Sequence, residues 1–120
     1  MVVMIPVAFR FHGHNSLRYV YSNGKAVRSR TATIKWVANS HRKSSRIAVV
    51  VSKKVIKSAV SRNRIRRRIY EYMRLQLPRF DSVFDVVVIV TSSEFLAMPA
   101  TELADQLGQL MQETTLYKKL

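Results

Sequence analysis

Between His41 and Arg74 the chain carries twelve Lys and Arg side chains against the single carboxylate of Glu71, a net of +11. No acidic residue precedes Glu71. Charges this dense cannot be stacked in a dry core, so any fold must spread the segment over a surface. Self-repulsion also lowers the stability of the compact state. The other segments hold nine basic and six acidic residues, so most of the overall charge of +14 is in this one stretch. A field so one-sided points to a polyanionic partner. Nucleic acid is the first candidate and an anionic membrane surface the second.

The chain is long enough for one domain with a modest core: 120 residues, 48% hydrophobic, read as a single unit over residues 1–120. It contains no cysteine, which excludes disulfides and thiolate metal sites and fits a reducing compartment. The apolar start "MVVMIPVAFR" lacks the charged region and cleavage pattern of a signal peptide. Residues 1–9 are expected to form a flexible extension. No apolar run approaches the roughly 20 residues that span a bilayer.

Periodicity predicts the elements. "NSLRYVYSNG" reads as a short helix capped by Asn15 or Ser16, with Leu17, Val20 and Tyr21 on one face and Gly24 ending it. "TATIKWVAN" alternates as a strand does. Thr31, Thr33, Lys35 and Val37 point one way; Ala32, Ile34, Trp36 and Ala38 point the other. "SHRKSS" is a basic loop. "RIAVVVS" and "VFDVVVIVT" are β-branched runs suited to buried strands. Between them lies a helix capped by Ser58 and ended by Pro78. "ATELADQLGQLMQET" is an amphipathic helix with Thr101 as its expected cap and Leu103, Leu107, Leu110 and Met111 on one side. The order is α-β-β-α-β-α, with room for an extra turn or strand. It predicts an α+β sandwich with a mixed central sheet.

On a helical wheel Ile65, Ile69, Tyr72, Met73 and Gln76 share about 100° of arc, the expected core stripe. Arg62 and Arg66 lie on the same side one turn earlier, so the stripe begins basic and becomes apolar. Arg64, Arg67 and Arg68 are predicted to face outward, with Glu71 within reach of Arg67 and Arg68. A solvated face accounts for Arg68 and Arg74 but not for Arg62 and Arg66 on the packing side. Arginine's planar fork matches phosphate, and Lys53, Lys54 and Lys57 in the preceding loop would close around the same place. The sequence offers little for catalysis by the protein itself. A protein nuclease needs clustered carboxylates for metal ions or a His acid–base pair. Asp81 and Asp85 at a strand start read as turn and rim residues. His12, His14 and His41 lack a fourth ligand for zinc. The three glycines build no phosphate loop.

The stretch "VVVSKKVIKSAVSRNRIRRRIYEYMR" resembles the signature of the bacterial ribonuclease P protein component: an apolar strand, Ser52-Lys53-Lys54, Ala59-Val60, then Arg62-Asn63-Arg64 and further basic residues. "RFHGHNSLRYVYSNGKAVRSR" and "TLYKKL" extend the resemblance over about residues 10 to 118. It implies a fold like the second domain of ribosomal protein S5, with a left-handed βαβ crossover. It implies a cytoplasmic subunit that binds the catalytic RNA of ribonuclease P and precursor tRNA, with no membrane or small-molecule substrate. The RNA would perform a magnesium-dependent hydrolysis that removes the 5′ leader, and the protein would hold no cofactor strongly and supply no catalytic residue. By position, the resemblance assigns RNA binding to Lys53, Lys54, Arg62, Asn63, Arg64, Arg66 and Arg67, and the surrounding run of charge adds Lys57 and Arg68 as candidates. The leader would lie in a cleft between the first helix, the sheet and the arginine helix. Leu17 and Tyr21 stand where many members carry phenylalanines, and Tyr70 where many carry arginine. On the strand, Lys35 or Trp36 would face the cleft, Lys35 being favoured by register. A ribosome-associated RNA binder on the same fold and, further off, a basic membrane-surface module are the alternatives.

Overall fold

The computed structural model describes residues 14–118, with side chains from Leu17 onward. The expected extension at residues 1–9 and His12 lie outside them. The elements are α1 (His14–Asn23), β1 (Lys25–Arg28), β2 (Ala32–Ala38), β3 (Arg46–Val51), α2 (Ala59–Gln76), β4 (Phe84–Val90) and α3 (Ala100–Gln112). Short 3-10 turns at Leu77–Arg79 and Ser93–Leu96 follow α2 and β4. The predicted order therefore appears with one extra strand, β1.

The four strands form one mixed sheet in the order β1-β2-β4-β3. The β1–β2 and β2–β4 pairs are antiparallel, and the β3–β4 pair is parallel. A parallel pair needs a long crossover, and α2 supplies it. β4 lies between two neighbours and reads as an almost unbroken apolar run, as strands covered on both faces do.

Alternation along the strands gives the sheet two unequal cores. On one face Ile34 and Trp36 of β2, Ile47, Val49 and Val51 of β3, and Val86, Val88 and Val90 of β4 meet Ile65, Ile69 and Met73 of α2. Leu103, Leu107, Leu110 and Met111 of α3 complete this larger core. On the other face the buried cluster is small: Val20 of α1 against Ala48 and Val87, with Leu17, Val37, Val50 and Ile89 packed at its margin. Helix α1 thus covers one face alone, while α2 and α3 share the opposite one.

Helix starts depart from expectation in two places. α1 begins at His14, so Asn15 and Ser16 lie inside its first turn. α3 begins at Ala100 behind Pro99 with no side-chain cap, and Thr101 is already helical. In α3, Pro99's fixed geometry delivers the chain into the helix and makes a hydroxyl cap dispensable. The end of α1 matches expectation: Gly24 follows it, and the Gly24 N–H donates to the Val20 carbonyl at 2.8 Å. A Cβ at Gly24 would stand 2.6 Å from the Val20 carbonyl oxygen and 2.9 Å from that of Trp36, so close backbone approach requires glycine here.

The segment after α3 returns across the end of α2. Leu116 is fully buried, Tyr117 bridges to Phe80, and the Asp81 N–H donates to the Leu116 carbonyl at 2.7 Å. The Tyr117 hydroxyl donates to Gln76 Oε1 at 2.6 Å, and the Arg79 guanidinium stacks 4.0 Å from the Tyr117 ring centre. Burial, reinforced by the neighbouring Tyr72, pushes the Tyr117 phenol well above its ordinary range. Burial likewise raises Tyr72.

Candidate nucleic-acid interface

The loop into α2 is built to be rigid. Its centre is pinned by Ile56, which is buried, and by Val55 and Ile56 N–H bonds to the Ser52 carbonyl at 3.2 and 3.1 Å. Ser58 then caps α2 as predicted, its hydroxyl accepting from the Ser61 N–H at 3.2 Å. Arg62 reaches back from the helix and donates through Nη1 to the carbonyls of Ile56 (3.0 Å) and Lys57 (2.7 Å). Its place on the packing side is explained by this: it ties the first turn to the loop. Arg66, half-buried, donates to Asn63 Oδ1 at 2.7 Å.

What remains outward is a compact basic surface. Lys53, Lys54 and Lys57 on the loop and Asn63, Arg64 and Arg67 on the helix are all exposed. The guanidinium groups of Arg64 and Arg67 form no ion pair or hydrogen bond with the described residues. The expected Glu71 pairing with Arg67 or Arg68 is not made; Glu71 pairs with Arg74 at 2.7 Å. The i+3 spacing toward the helix C-terminus serves this pair equally well, and it leaves the first half of α2 uncompensated.

Arg68 is a correction. It does not face outward. Its Nη1 donates to the carbonyls of Phe95 at 2.6 Å and Leu96 at 3.3 Å, and its Nη2 donates to the carbonyl of Met98. One guanidinium thus satisfies the end of the turn that follows β4. On the wheel Arg68 sits at the border between the outward face and the core stripe, which is why a neighbouring element can claim it. These hydrogen bonds give it a bracing role.

The cleft candidates separate onto two faces. Leu17 and Tyr21 of α1 and Lys35 of β2 lie together. Lys35 Nζ donates to the Tyr21 carbonyl at 3.3 Å and stands 5.4 Å from the centre of its ring. Burial raises the Tyr21 phenol above its ordinary value. Beneath them Val37, Val50 and Ile89 offer a half-buried apolar floor. Trp36 and Tyr70 do not belong here. Trp36 is buried on the far face, donating Nε1–H to Thr115 Oγ1 at 3.2 Å. Tyr70 packs on that face against the larger core. Strand alternation fixes the first, and α2's position across the sheet from α1 fixes the second. A single cleft walled by both α1 and α2 is therefore not what the chain builds.

Sequence reasoning also missed a buried charge pair. Asp85, expected at a rim, is 4% exposed. It accepts both Arg46 Nε–H at 2.9 Å and Nη2–H at 2.8 Å, together with Asn39 Nδ2–H at 2.8 Å. Asp85 and Arg46 are register partners on adjacent strands, so the pairing follows from the sheet and was invisible before it. The bidentate fork anchors the basic β2–β3 loop, whose His41, Arg42 and Lys43 are exposed.

A mixed four-stranded sheet that holds a braced, uncompensated basic helix start on one side and an aromatic–lysine face on the other defines a small basic α+β protein suited to a polyanionic partner. Comparison with known proteins narrows the class. The Ribonuclease P family model matches residues 5–115. The ribonuclease P protein component of Chloroflexus aurantiacus is 35% identical over 113 residues, covering 91% of this chain and 79% of the relative. That of Symbiobacterium thermophilum is 30% identical over 112 residues, covering 93% and 96%. The chain belongs to the ribonuclease P protein family, and its function is that of the protein subunit in tRNA 5′ processing. Among solved structures, the RNase P protein of Staphylococcus aureus superposes with a TM-score of 0.80 at 22% identity, over 92% of this chain and 98% of that one. The Thermotoga maritima RNase P protein gives 0.75 at 23% identity, over 88% and 96%. These likenesses establish the shared fold.

Proposed function

We propose that this chain binds the catalytic RNA of ribonuclease P through the loop–helix surface of Lys53, Lys54, Lys57, Asn63, Arg64 and Arg67, with Arg62 and Arg66 holding that surface in shape. The carrying observation is that Arg64 and Arg67 stand exposed on a capped, braced helix start and pair with no carboxylate among the described residues, Glu71 being taken by Arg74. Cations in the first turns of a helix are disfavoured by its dipole until an anion arrives. A phosphate backbone relieves both that cost and the mutual repulsion.

The opposite face, with Leu17, Tyr21 and Lys35, is assigned to the 5′ leader of precursor tRNA. Tyr21 can stack on an unpaired base, worth about 1–3 kcal/mol in single-strand binders, while Lys35 meets the backbone. Hydrolysis is assigned to the RNA and its magnesium. Among the described residues no group of three or more His, Cys, Asp or Glu side chains is placed to hold a metal ion. The isolated chain should then be inactive. Among those residues, too, no helix is long and apolar enough to cross a membrane.

Reconstitution tests the reading. Adding the chain to a bacterial ribonuclease P RNA and precursor tRNA at low magnesium should stimulate cleavage, and no stimulation would sink it. Tyr21→Ala should weaken binding of precursor tRNA while leaving mature tRNA, which has no leader, unaffected.

A further inference from the structure

Val60 is the most exposed large apolar residue described, at 75%. It sits in the first turn of α2, and nothing in the fold explains it. It packs against neither core. As a β-branched residue on an open helix surface it is a poorer helix former than alanine. Its neighbours give it a setting. Asn63, Arg64 and Arg67 follow at i+3, i+4 and i+7 and lie within about 60° of it on the wheel. Lys57 precedes it at i−3, across the Ser58 cap, and is exposed. Farther along the same face the Glu71–Arg74 ion pair cancels its own charge. Val60 is thus an uncovered apolar spot flanked by the exposed Lys57, Arg64 and Arg67.

We infer that Val60 is a nonionic contact to RNA, packing against a ribose or base face while Arg64, Arg67 and the lysines engage the flanking phosphates. The inference rests on the RNA-binding role proposed above and adds a component which that role does not require. The rim selects the partner: three exposed cations, Lys57, Arg64 and Arg67, beside one aliphatic side chain complement a polyanion with apolar sugar and base faces between its charges. Phosphate contacts release counterions and so depend on salt, whereas an apolar contact does not. The two kinds of contact are therefore separable by experiment.

The test measures the affinity of the full chain for a bacterial ribonuclease P catalytic RNA at four or five monovalent salt concentrations. Wild type is compared with Val60→Ala, Val60→Thr, Val60→Leu and Arg64→Ala. Removing or polarising the Val60 methyls should weaken binding about fivefold to tenfold at every salt concentration and leave the salt slope unchanged. Val60→Leu should stay within about threefold of wild type. Arg64→Ala should reduce the slope by about 0.7–0.9. Position 60 is exposed, so Val60→Ala should melt at or slightly above the wild-type temperature, which separates a binding loss from misfolding. Wild-type affinity in both Val60→Ala and Val60→Thr would overturn this inference alone. So would a changed slope in those variants, which would make Val60 a spacer for the arginines. Loss of phosphatidylglycerol-vesicle binding in Val60→Ala, with RNA affinity intact, would assign the contact to lipid and likewise overturn it. Failure of the wild-type chain to bind the RNA would remove the proposed function itself.

Discussion

Arg68→Ala separates a bracing arginine from a phosphate-binding one within a single cluster. In the folded chain the Arg68 guanidinium donates to the carbonyls of Phe95, Leu96 and Met98, and its side chain is half-buried between α2 and the turn after β4. A hydrogen bond from a charged donor contributes about 1.5–3 kcal/mol net, and a buried acceptor left without a partner costs about 1–3 kcal/mol. The bond to Leu96 is long, and the three acceptors share one group, so the contributions do not simply add. A loss of about 2–4 kcal/mol is the expected outcome. For a domain of this size that lowers the melting temperature by roughly 10 °C. Arg68→Lys should recover only part of it, because a single ammonium nitrogen cannot span acceptors that Arg68 reaches through two separate nitrogens. Urea unfolding followed by circular dichroism measures the stability. RNA binding below the variant's melting range, at several salt concentrations, measures the phosphate contribution, and its slope should equal that of wild type. A destabilisation below about 0.5 kcal/mol, together with a slope reduced by about 0.7–0.9, would refute the reasoning and return Arg68 to the RNA surface.

Asp85→Ala should destabilise the fold by about 3–5 kcal/mol in a thermal melt, because it strips Arg46 of its bidentate partner in a buried setting. Gly24→Ala forces a Cβ against two backbone carbonyl oxygens and should cost about 1–3 kcal/mol in the same assay. Tyr72 and Tyr117 both have phenols raised above the ordinary 10.0, so the unfolded chain ionises first as the solution becomes alkaline. Their stabilisation is complete below pH 10.0 and declines as the pH climbs above it toward the folded-state values. Denaturant midpoints should therefore hold up to about pH 9 and fall beyond, and Tyr117→Phe should shrink the fall.

The β3–α2–β4 unit was legible in the sequence because its signals are local. β-branched runs mark the strands, Ser58 supplies the cap, and the apolar period of Ile65, Ile69 and Met73 marks the packed stripe. Strand alternation was also enough to put Lys35 and Trp36 on opposite faces. What could not be read were side chains whose partners are remote. Arg46 meets Asp85 across 39 residues and Arg68 meets Met98 across 30, pairings that exist only after the sheet and its crossover have formed. Arg68 therefore looked like surface charge and Asp85 like a rim residue. Val60 was hidden for a different reason. Its position opposite the Ile65, Ile69 and Met73 stripe was readable on the wheel, but that nothing covers it shows only in the fold.

The two sides of the sheet differ in how tightly they hold their helices. α2 is locked by Ile65, Ile69 and Met73 and by the arginine brackets at Ile56 and Phe95, whereas Val20 is the sole fully buried anchor among the described side chains of α1. Amide hydrogen exchange should register this as two tiers, with α1 opening in local excursions and α2 exchanging only when the whole domain unfolds. On the proposed function, the α2 surface would then be a fixed template for RNA. The α1 face would slide or tilt its helix to accept leaders of unlike sequence, so tolerance toward substrates would reside in α1 and fidelity of assembly in α2.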